Sequence, residues 1–596
     1  MFEFYLKYGN ENQIVDHYNV DNPFYEGKKF IKTAFKYESL QIITLSHQAK
    51  ESFTYENEEA LIIVQGKVFF RQDFLGLSTE SIPPEKLYNL MKSDKDYYRK
   101  IKGNFSIILY NKQSTLLKVI TDQFALLPLY YGKINDEIYI SNNLNHFKYF
   151  SLPIDSVVLL EQLVFGYPIA KESIYKGVKQ VPEGTLLEMK GDAFSIKSLA
   201  RLSELIFKED LHRFDLQEFL NLFNTAVSQK ASVAENKILH VRDDIHSRLV
   251  HSSFLRKNIN ARFMSFGKAG ASNTAIPQAV AKQTNQEHQT IYLDENFEKQ
   301  IPKLTFESIF FSDGQSGAEE VDHLYSTSNI SNESSILFSS DMAKELLLPL
   351  TKINDLMHDD YIKIIYEKGE YNLNQIFEDR GISKFVSQEL IDNNMILFFD
   401  KMQEKKKEVQ GKKLGEEGFL YYLYDLFKIV FKRNYGTRFH SNRFYASTLP
   451  VFFDIDVMQY LIRSHHNEVY RNGLDEDAWK MVKPLQLYAQ IFQLNEPSLN
   501  KVSVDKGYIP LNLLNVFKRP LIKNQLVKNS KLSSYNPPKE QEWAVHFYTY
   551  LQEFDLSDSK YFKVDAIIEY IENYKPANYS KEVNNVINTY TWLSVL

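Results

Sequence analysis

The hydrophobic pattern changes period near residue 200, and this change limits what the chain can build. Before it, short apolar runs alternate with tight turns. Ala60–Val64 leads through Gly66 into Lys67–Arg71. Phe105–Tyr110 and Leu116–Thr121 flank a polar turn over 111–114. Pro128–Tyr131 and Glu137–Ile140 flank another over 132–136, and Thr185–Met189 and Phe194–Ile196 a third around Gly191 and Asp192. Such runs predict hairpins in a layered β-rich domain with few helices. After the change, Asp215 with Glu218 three places on reads as a capping-box-like start, and Leu216, Phe219, Leu220, Phe223 and Val227 share one helical face. Strand-like segments at Ile238–Val241, Arg262–Phe266, Thr290–Leu293 and Ser335–Phe338 then alternate with helical ones at Ile245–Leu255 and Ile276–Thr284. Alternation at this spacing predicts a parallel sheet with helices on both faces. Beyond about residue 345 the pattern is mainly helical. A chain of 596 residues exceeds one core, so two domains are expected, 1–205 and 206–596, of α+β and α/β class.

Composition removes several chemistries. There is no cysteine, which excludes disulfides, thiolate nucleophiles, cysteine zinc sites and iron–sulfur clusters. A net charge of −6 argues against general nucleic-acid binding. Lys405–Lys407, Lys412 and Lys413 are interspersed with Glu404, Glu408, Glu416 and Glu417 and read as a solvated face. Met1–Phe4 lacks the basic segment and apolar core of a secretory signal, and no apolar run approaches the ~20 residues of a membrane helix. A cytoplasmic protein without membrane partners is the expectation.

Several motifs in fixed order carry a resemblance. They are Gly103–Phe105, Thr121–Tyr131, Phe165–Tyr167 and Ser173–Gly184, then Phe266–Gly267, Asp313–Gly314, Pro450–Asp454 and Pro497–Gly507. Together they resemble the asparagine synthetase family, with its β-lactam synthetase and lasso-peptide cyclase relatives, over roughly residues 1 to 520. The resemblance implies an N-terminal class II glutamine amidotransferase-like (Ntn-type) β-sandwich domain. It implies a second, adenine-nucleotide α-hydrolase-like domain with a parallel sheet and a helical C-terminal part. In the family, a cysteine at position 2 of the first domain releases ammonia from glutamine. The second domain adenylates a carboxylate with ATP and lets an amine displace AMP.

This chain departs from both chemistries. Position 2 is Phe2, and a phenyl ring can neither attack an amide nor carry an acyl group. The Asn-Gly-Glu stretch that helps bind glutamine in the family stands as Gln65-Gly66-Lys67. The family's Ser-Gly-Gly-x-Asp-Ser loop, whose backbone amides surround pyrophosphate at a helix N-terminus, stands as Arg242, Asp243, Asp244, Ile245, His246, Ser247. A carboxylate ~4 Å from a phosphate charge costs about 4 kcal/mol at an effective dielectric of about 20. In the second phosphate motif, Ser339–Glu345, the family's magnesium-binding Asp-Glu pair becomes Lys344-Glu345, leaving Glu345 as the candidate metal ligand beside Asp341. On the resemblance, the ATP-site positions are Arg242, Asp243, Asp244, His246, Ser247, Phe266, Gly267, Asp341 and Glu345.

Other readings of the same residues stay open. Asp243, Asp244, His240, His246, Asp341 and Glu345 offer metal-binding side chains, although His246 and His251 are five apart on one predicted helix and face about 140° apart. Asp243 and Asp244 equally suit a helix cap. Lys501 and Lys506 lie where β-lactam-forming relatives place a catalytic lysine. His465 and His466 fall at a helix end without an evident role. Two functions follow. In one, a divergent member with a degenerate pyrophosphate loop needs no cofactor. It acts as a binding or scaffold partner, beside an active paralogue or on a peptide or small-molecule substrate in natural-product maturation. In the other, an amide-bond-forming ligase uses ATP and Mg2+ through an altered site, without glutamine hydrolysis.

Overall fold

The computed structural model describes residues 3–9, 30–47, 53–206, 212–330, 335–347, 358–366, 371–409, 421, 424–464, 478–533 and 539–595. Phe2, Lys412, Lys413, Glu416, Glu417, His465 and His466 lie outside them. Strands β1 to β12 are, in chain order, Glu3–Tyr8, Ile31–Lys36, Leu40–Ser46, Thr54–Glu56, Ala60–Phe70, Ile101–Asn111, Leu116–Thr121, Tyr130–Ile134, Glu137–Ser141, Val178–Gln180, Thr185–Lys190 and Ala193–Ser198. They form two six-stranded antiparallel sheets, β10-β8-β9-β1-β3-β2 and β12-β11-β7-β6-β5-β4. Side chains alternate across a strand, and the apolar ones sort accordingly. Leu61 and Ile63 of β5 join Phe4, Leu6, Ile138 and Ile140 in one buried cluster. Ala60, Ile62 and Val64 join Ile82, Leu87 and Tyr98 in another.

The three expected hairpins form as β6–β7, β8–β9 and β11–β12. The apolar runs on either side of Gly66 make one strand, β5, paired with β6 over its whole length. Gly66 has φ +82°, and a Cβ there would stand 2.0 Å from the Asn104 carbonyl oxygen, so only glycine lets the strand continue.

The second part is built on β13 (Lys237–His240), β14 (Arg262–Gly267), β15 (His288–Tyr292), β16 (Ile336–Ser339) and β17 (Ser447–Pro450). All are parallel, in the order β15-β14-β13-β16-β17. Helices α1 (Leu216–Ala231), α2 (Ser247–Arg256) and α3 (Ser272–Gln283) belong to this part, and Asp215 caps α1 by accepting the Glu218 N–H at 2.8 Å. Strand β17 was not expected. Its four residues, ending in Pro450, are too short to show a period of two and acquire strand geometry only by pairing with β16. Apart from β17, the described residues beyond 345 form helices and loops, and no helix among the described residues is long and apolar enough to cross a membrane.

The two sheet systems meet at a buried ion cluster. Lys102 of β6 stands 2.9 Å from Asp454 Oδ2 and 3.0 Å from Asp456 Oδ2. Arg71 Nε reaches Asp456 Oδ1 at 2.8 Å, and the Gln72 N–H donates to Asp456 Oδ2 at 2.9 Å. Asp454 also caps α5 (Ile455–Arg463), which follows α4 (Phe431–Asn442). Burial opposes the charge on Lys102, but the two carboxylates outweigh it and hold the ammonium above its ordinary range. From the other side, the Lys230 ammonium of α1 donates to the carbonyls of Pro450, Val451 and Phe453 at 2.6, 3.3 and 3.0 Å. One apolar cluster runs through both parts, from Tyr5, Tyr130 and Phe165 to Phe219, Phe338 and Trp592.

Lys102→Met leaves two carboxylates buried without their ammonium, so it should cost about 3–5 kcal/mol in denaturant unfolding; unchanged stability would show the cluster to be dispensable. Acid should also unfold the protein. Burial pushes the imidazoles of His146, His251 and His440 down to about 3 and those of His240 and His246 to about 4, and His323 is lowered too. Each is neutral in the fold and protonated in the unfolded chain below about 6.5, so the stability they contribute above that pH is lost as pH falls from about 6.5 toward 3. Buried carboxyls oppose this: Asp122 and Asp322 are raised to about 6, and Asp313 and Glu319 to about 7. The imidazoles outnumber them, and Tm should fall between pH 7 and 5. His251→Leu should make that fall shallower by about one proton per molecule, and an unchanged slope would contradict this account.

Candidate functional site at the parallel sheet

Strand order reverses at β13, with β14 on one side and β16 on the other, and such a switch point opens a crevice beyond the C-terminal strand ends. The loop leaving β13 fills its own part of that crevice. Arg242 contacts Asp244 Oδ2 through Nε at 3.0 Å and Nη2 at 2.9 Å. The Ser247 N–H, the first of α2, donates to Asp244 Oδ1 at 2.8 Å. The Arg242 N–H donates to Ser247 Oγ at 3.0 Å, and that hydroxyl donates back to the Arg242 carbonyl at 3.1 Å. Burial favours a neutral Asp244, but the Arg242 guanidinium outweighs it and holds the carboxyl well below the usual range. Asp243 accepts the Ser272 hydroxyl at 2.6 Å, and its carbonyl accepts the Asp505 N–H at 3.0 Å. Of the two acidic residues offered as caps, neither is the N-cap of α2, which is His246: Asp244 accepts its first N–H, and Asp243 bonds to the start of α3.

The aromatic neighbours are packed rather than open. Phe266 is buried, its ring stacked on His240 with centroids 4.9 Å apart and planes 17° apart. His323 meets Phe266 edge-on at 5.1 Å. Gly267 ends β14, its carbonyl accepting the Leu293 N–H at 3.0 Å. His246 Nδ1 lies 2.7 Å from Tyr488 Oη, which also lies 3.2 Å from the Ala343 carbonyl oxygen.

On the β16 side, Asp341 Oδ1 lies 3.9 Å from Arg438 Nη1. Arg438 of α4 is bidentate to Glu320, with both contacts at 2.7 Å. Glu345 accepts the Tyr435 hydroxyl at 3.3 Å, and burial raises its carboxyl above the ordinary range. Lys344 is exposed. The side chains offered as metal ligands thus have other neighbours, and among the described residues no group of three or more His, Asp or Glu stands together as a metal site.

The two candidate lysines part company. Lys501 is exposed at the end of a 3-10 turn, Pro497–Lys501. Lys506 is half-buried, 3.3 Å from Asp505, which is itself bonded to the loop through the Asp243 carbonyl. Sequence reasoning missed two arginines. Arg248 is fully buried, donating to the carbonyls of Val502 at 2.6 Å, Leu499 at 3.4 Å and Ser503, and burial pushes its guanidinium down to about 10. It ties α2 to the 497–507 segment. Arg438 closes the other wall through Glu320. Arg248 shares its helical face with His251 and Ser252, so it offered no signal in the sequence; nor did Arg438, whose partner lies 118 residues away.

Residues 23–199 match the family described as the glutamine amidotransferase domain. Asparagine synthetase [glutamine-hydrolyzing] 1 of Bacillus subtilis (strain 168) is 23% identical over 191 residues, covering 30% of this chain and 30% of that protein. The match therefore spans less than a third of that relative. Two solved structures are also similar. Glutamine phosphoribosylpyrophosphate amidotransferase from B. subtilis, complexed with ADP and GMP, has 12% identity over 42% of this chain and 51% of its own, with TM-score 0.19. The allosteric regulatory enzyme of purine biosynthesis has 10% identity over 48% of this chain and 58% of its own, with TM-score 0.21. Over residues 23–199, then, the chain is similar to the glutamine amidotransferase domain, and over 191 residues to this asparagine synthetase.

Proposed function

We propose that this asparagine synthetase-like chain neither hydrolyses glutamine nor grips ATP in the family's manner, and that it serves as a binding or scaffold partner. Residues 1–205 would form the amidotransferase-like domain and 206–596 the synthetase-like one. The partner would be an active paralogue, or a peptide or small molecule undergoing maturation. The Arg242–Asp244–Ser247 network carries this reading. A phosphate at a helix N-terminus needs backbone N–H groups free to donate. Here the Ser247 N–H is held by the Asp244 carboxylate and the Arg242 N–H by the Ser247 hydroxyl. A triphosphate would have to displace Asp244 from both α2 and Arg242, with Asp243 adding a second negative charge at the same mouth. The residues present do not fit ATP with Mg2+ as the family holds them. With Phe2 at the nucleophile position and no cysteine in the chain, the family's route to ammonia is closed as well.

The approach of Lys506 to the loop, through Asp505, favours a second reading: an ATP-dependent amide-bond-forming ligase with an altered nucleotide site. Calorimetric titration with Mg-ATP and a non-hydrolysable analogue separates the two. Silence at millimolar nucleotide is expected, and saturable micromolar binding would overturn the scaffold reading. The double variant Asp243→Gly with Asp244→Gly should bind nucleotide more tightly than the natural protein, at a stability cost of about 1 kcal/mol for the lost hydrogen bond to the Ser247 N–H. Weaker nucleotide binding in that variant would show that the acidic loop contributes to a new site.

A further inference from the structure

A second place in the molecule has the chemistry of a ligand site. Where β5 and β6 face β17 and α4, the fold leaves a cavity of about 50 Å³, room for roughly three or four water-sized groups. Its polar lining comes from both halves: Lys67 and Asn104 from the antiparallel sheet, Arg443 and Thr448 from the second part. Among the described lining residues there is no carboxylate. Asn104 is 5% exposed, and neither its amide nitrogen nor its amide oxygen has a hydrogen-bond partner. The Thr448 hydroxyl is buried and equally without one. The register pairs Lys67 with Asn104 and, two residues along each strand, Gln65 with Ser106. The polar side-chain atoms of Gln65 and Ser106 are also buried and unpartnered, so the polar strip continues away from the cavity.

A folded protein seldom leaves so many buried polar atoms without partners, since each has given up its hydrogen bonds to water for nothing in return. Something polar that arrives from outside the protein is the usual resolution. Its sign is set by Lys67, whose ammonium faces the cavity beside an amide and a hydroxyl that can both donate. Burial lowers the Lys67 ammonium below its ordinary range, as expected of a cation that still lacks a counter-charge. Lys67 also reverses the charge of the Asn-Gly-Glu stretch that Gln65-Gly66-Lys67 resembles, so a ligand presenting an ammonium at this point is disfavoured. We propose that the cavity between the antiparallel sheet and β17 binds a compact oxyanion, a small carboxylate or inorganic phosphate, through Lys67, Asn104 and Thr448. This site is separate from the loop at Arg242–Ser247 and holds whether or not that loop takes nucleotide.

The test uses the full chain at constant ionic strength in chloride, titrated by calorimetry with acetate, inorganic phosphate and acetamide. Acetamide has the shape of acetate without its charge. Saturable binding of at least one oxyanion is expected, with acetamide at least about tenfold weaker, as befits charge-assisted hydrogen bonds. Response to acetate alone identifies a carboxylate ligand, and response to phosphate alone a phosphate. Lys67→Gln should weaken the oxyanion at least about tenfold, and Thr448→Val severalfold. Thr448→Val keeps the side chain's shape and decides the matter should Lys67→Gln fail to fold. Equal affinity for acetate and acetamide, no saturation by either anion at about 100 mM, or unchanged binding in a folded variant would overturn the proposal.

Discussion

The arrangement of the two halves depends on one buried cation between two carboxylates. Lys102, on the long strand β6, holds Asp454 and Asp456 at the start of α5, while Arg71 takes the other oxygen of Asp456 and the Gln72 N–H shares Oδ2 with Lys102. Removing charges from water is expensive, and a buried cluster of this kind contributes less to net stability than its short distances suggest. Its effect is on specificity. A shift of a few ångströms between the halves would leave an unpaired charge in the interior, so one register is strongly preferred. Lys230 grips the preceding carbonyls from the opposite side. Between them they place β17 against β16, and with it the edge of the parallel sheet.

Both functional readings depend on that placement. The cavity lined by Lys67, Asn104, Arg443 and Thr448 exists because β5 and β6 are held over β17. The crevice at the strand ends is bounded by α4, which carries Arg438 to Glu320 and Tyr435 to Glu345. Within the crevice, charge is arranged differently from what the side chains alone imply. Asp243 and Asp244 read as two like charges facing a phosphate site. In the fold, Asp244 is matched by Arg242 and accepts the Ser247 N–H, so in the proposed reading occupancy of the loop's donors outweighs repulsion. The buried imidazoles of His240 and His246 follow the same logic: His240 is stacked on Phe266, His246 contacts the Tyr488 hydroxyl, and burial keeps both neutral.

Much of this was legible in the order of residues. The hairpins, the strand–helix alternation and the Asp215 cap are local, set by side-chain period and by hydrogen bonds spanning three or four residues. The sequence also excluded thiol chemistry outright, because no cysteine is present, and it marked the loop at 241–247 as altered. Long-range pairing decided the rest. β17 is a strand only because β16 lies beside it. Arg248 meets its carbonyl partners some 250 positions away, and Lys102 finds its carboxylates 352 positions away. No periodicity records such contacts, since the energy of a charge depends on what surrounds it in space and not on its neighbours along the chain. The identity and spacing of the residues thus determined the elements and the absence of any thiol, while tertiary packing alone determined which charges are paired, which donors are occupied and which buried polar atoms among the described residues stand without partners.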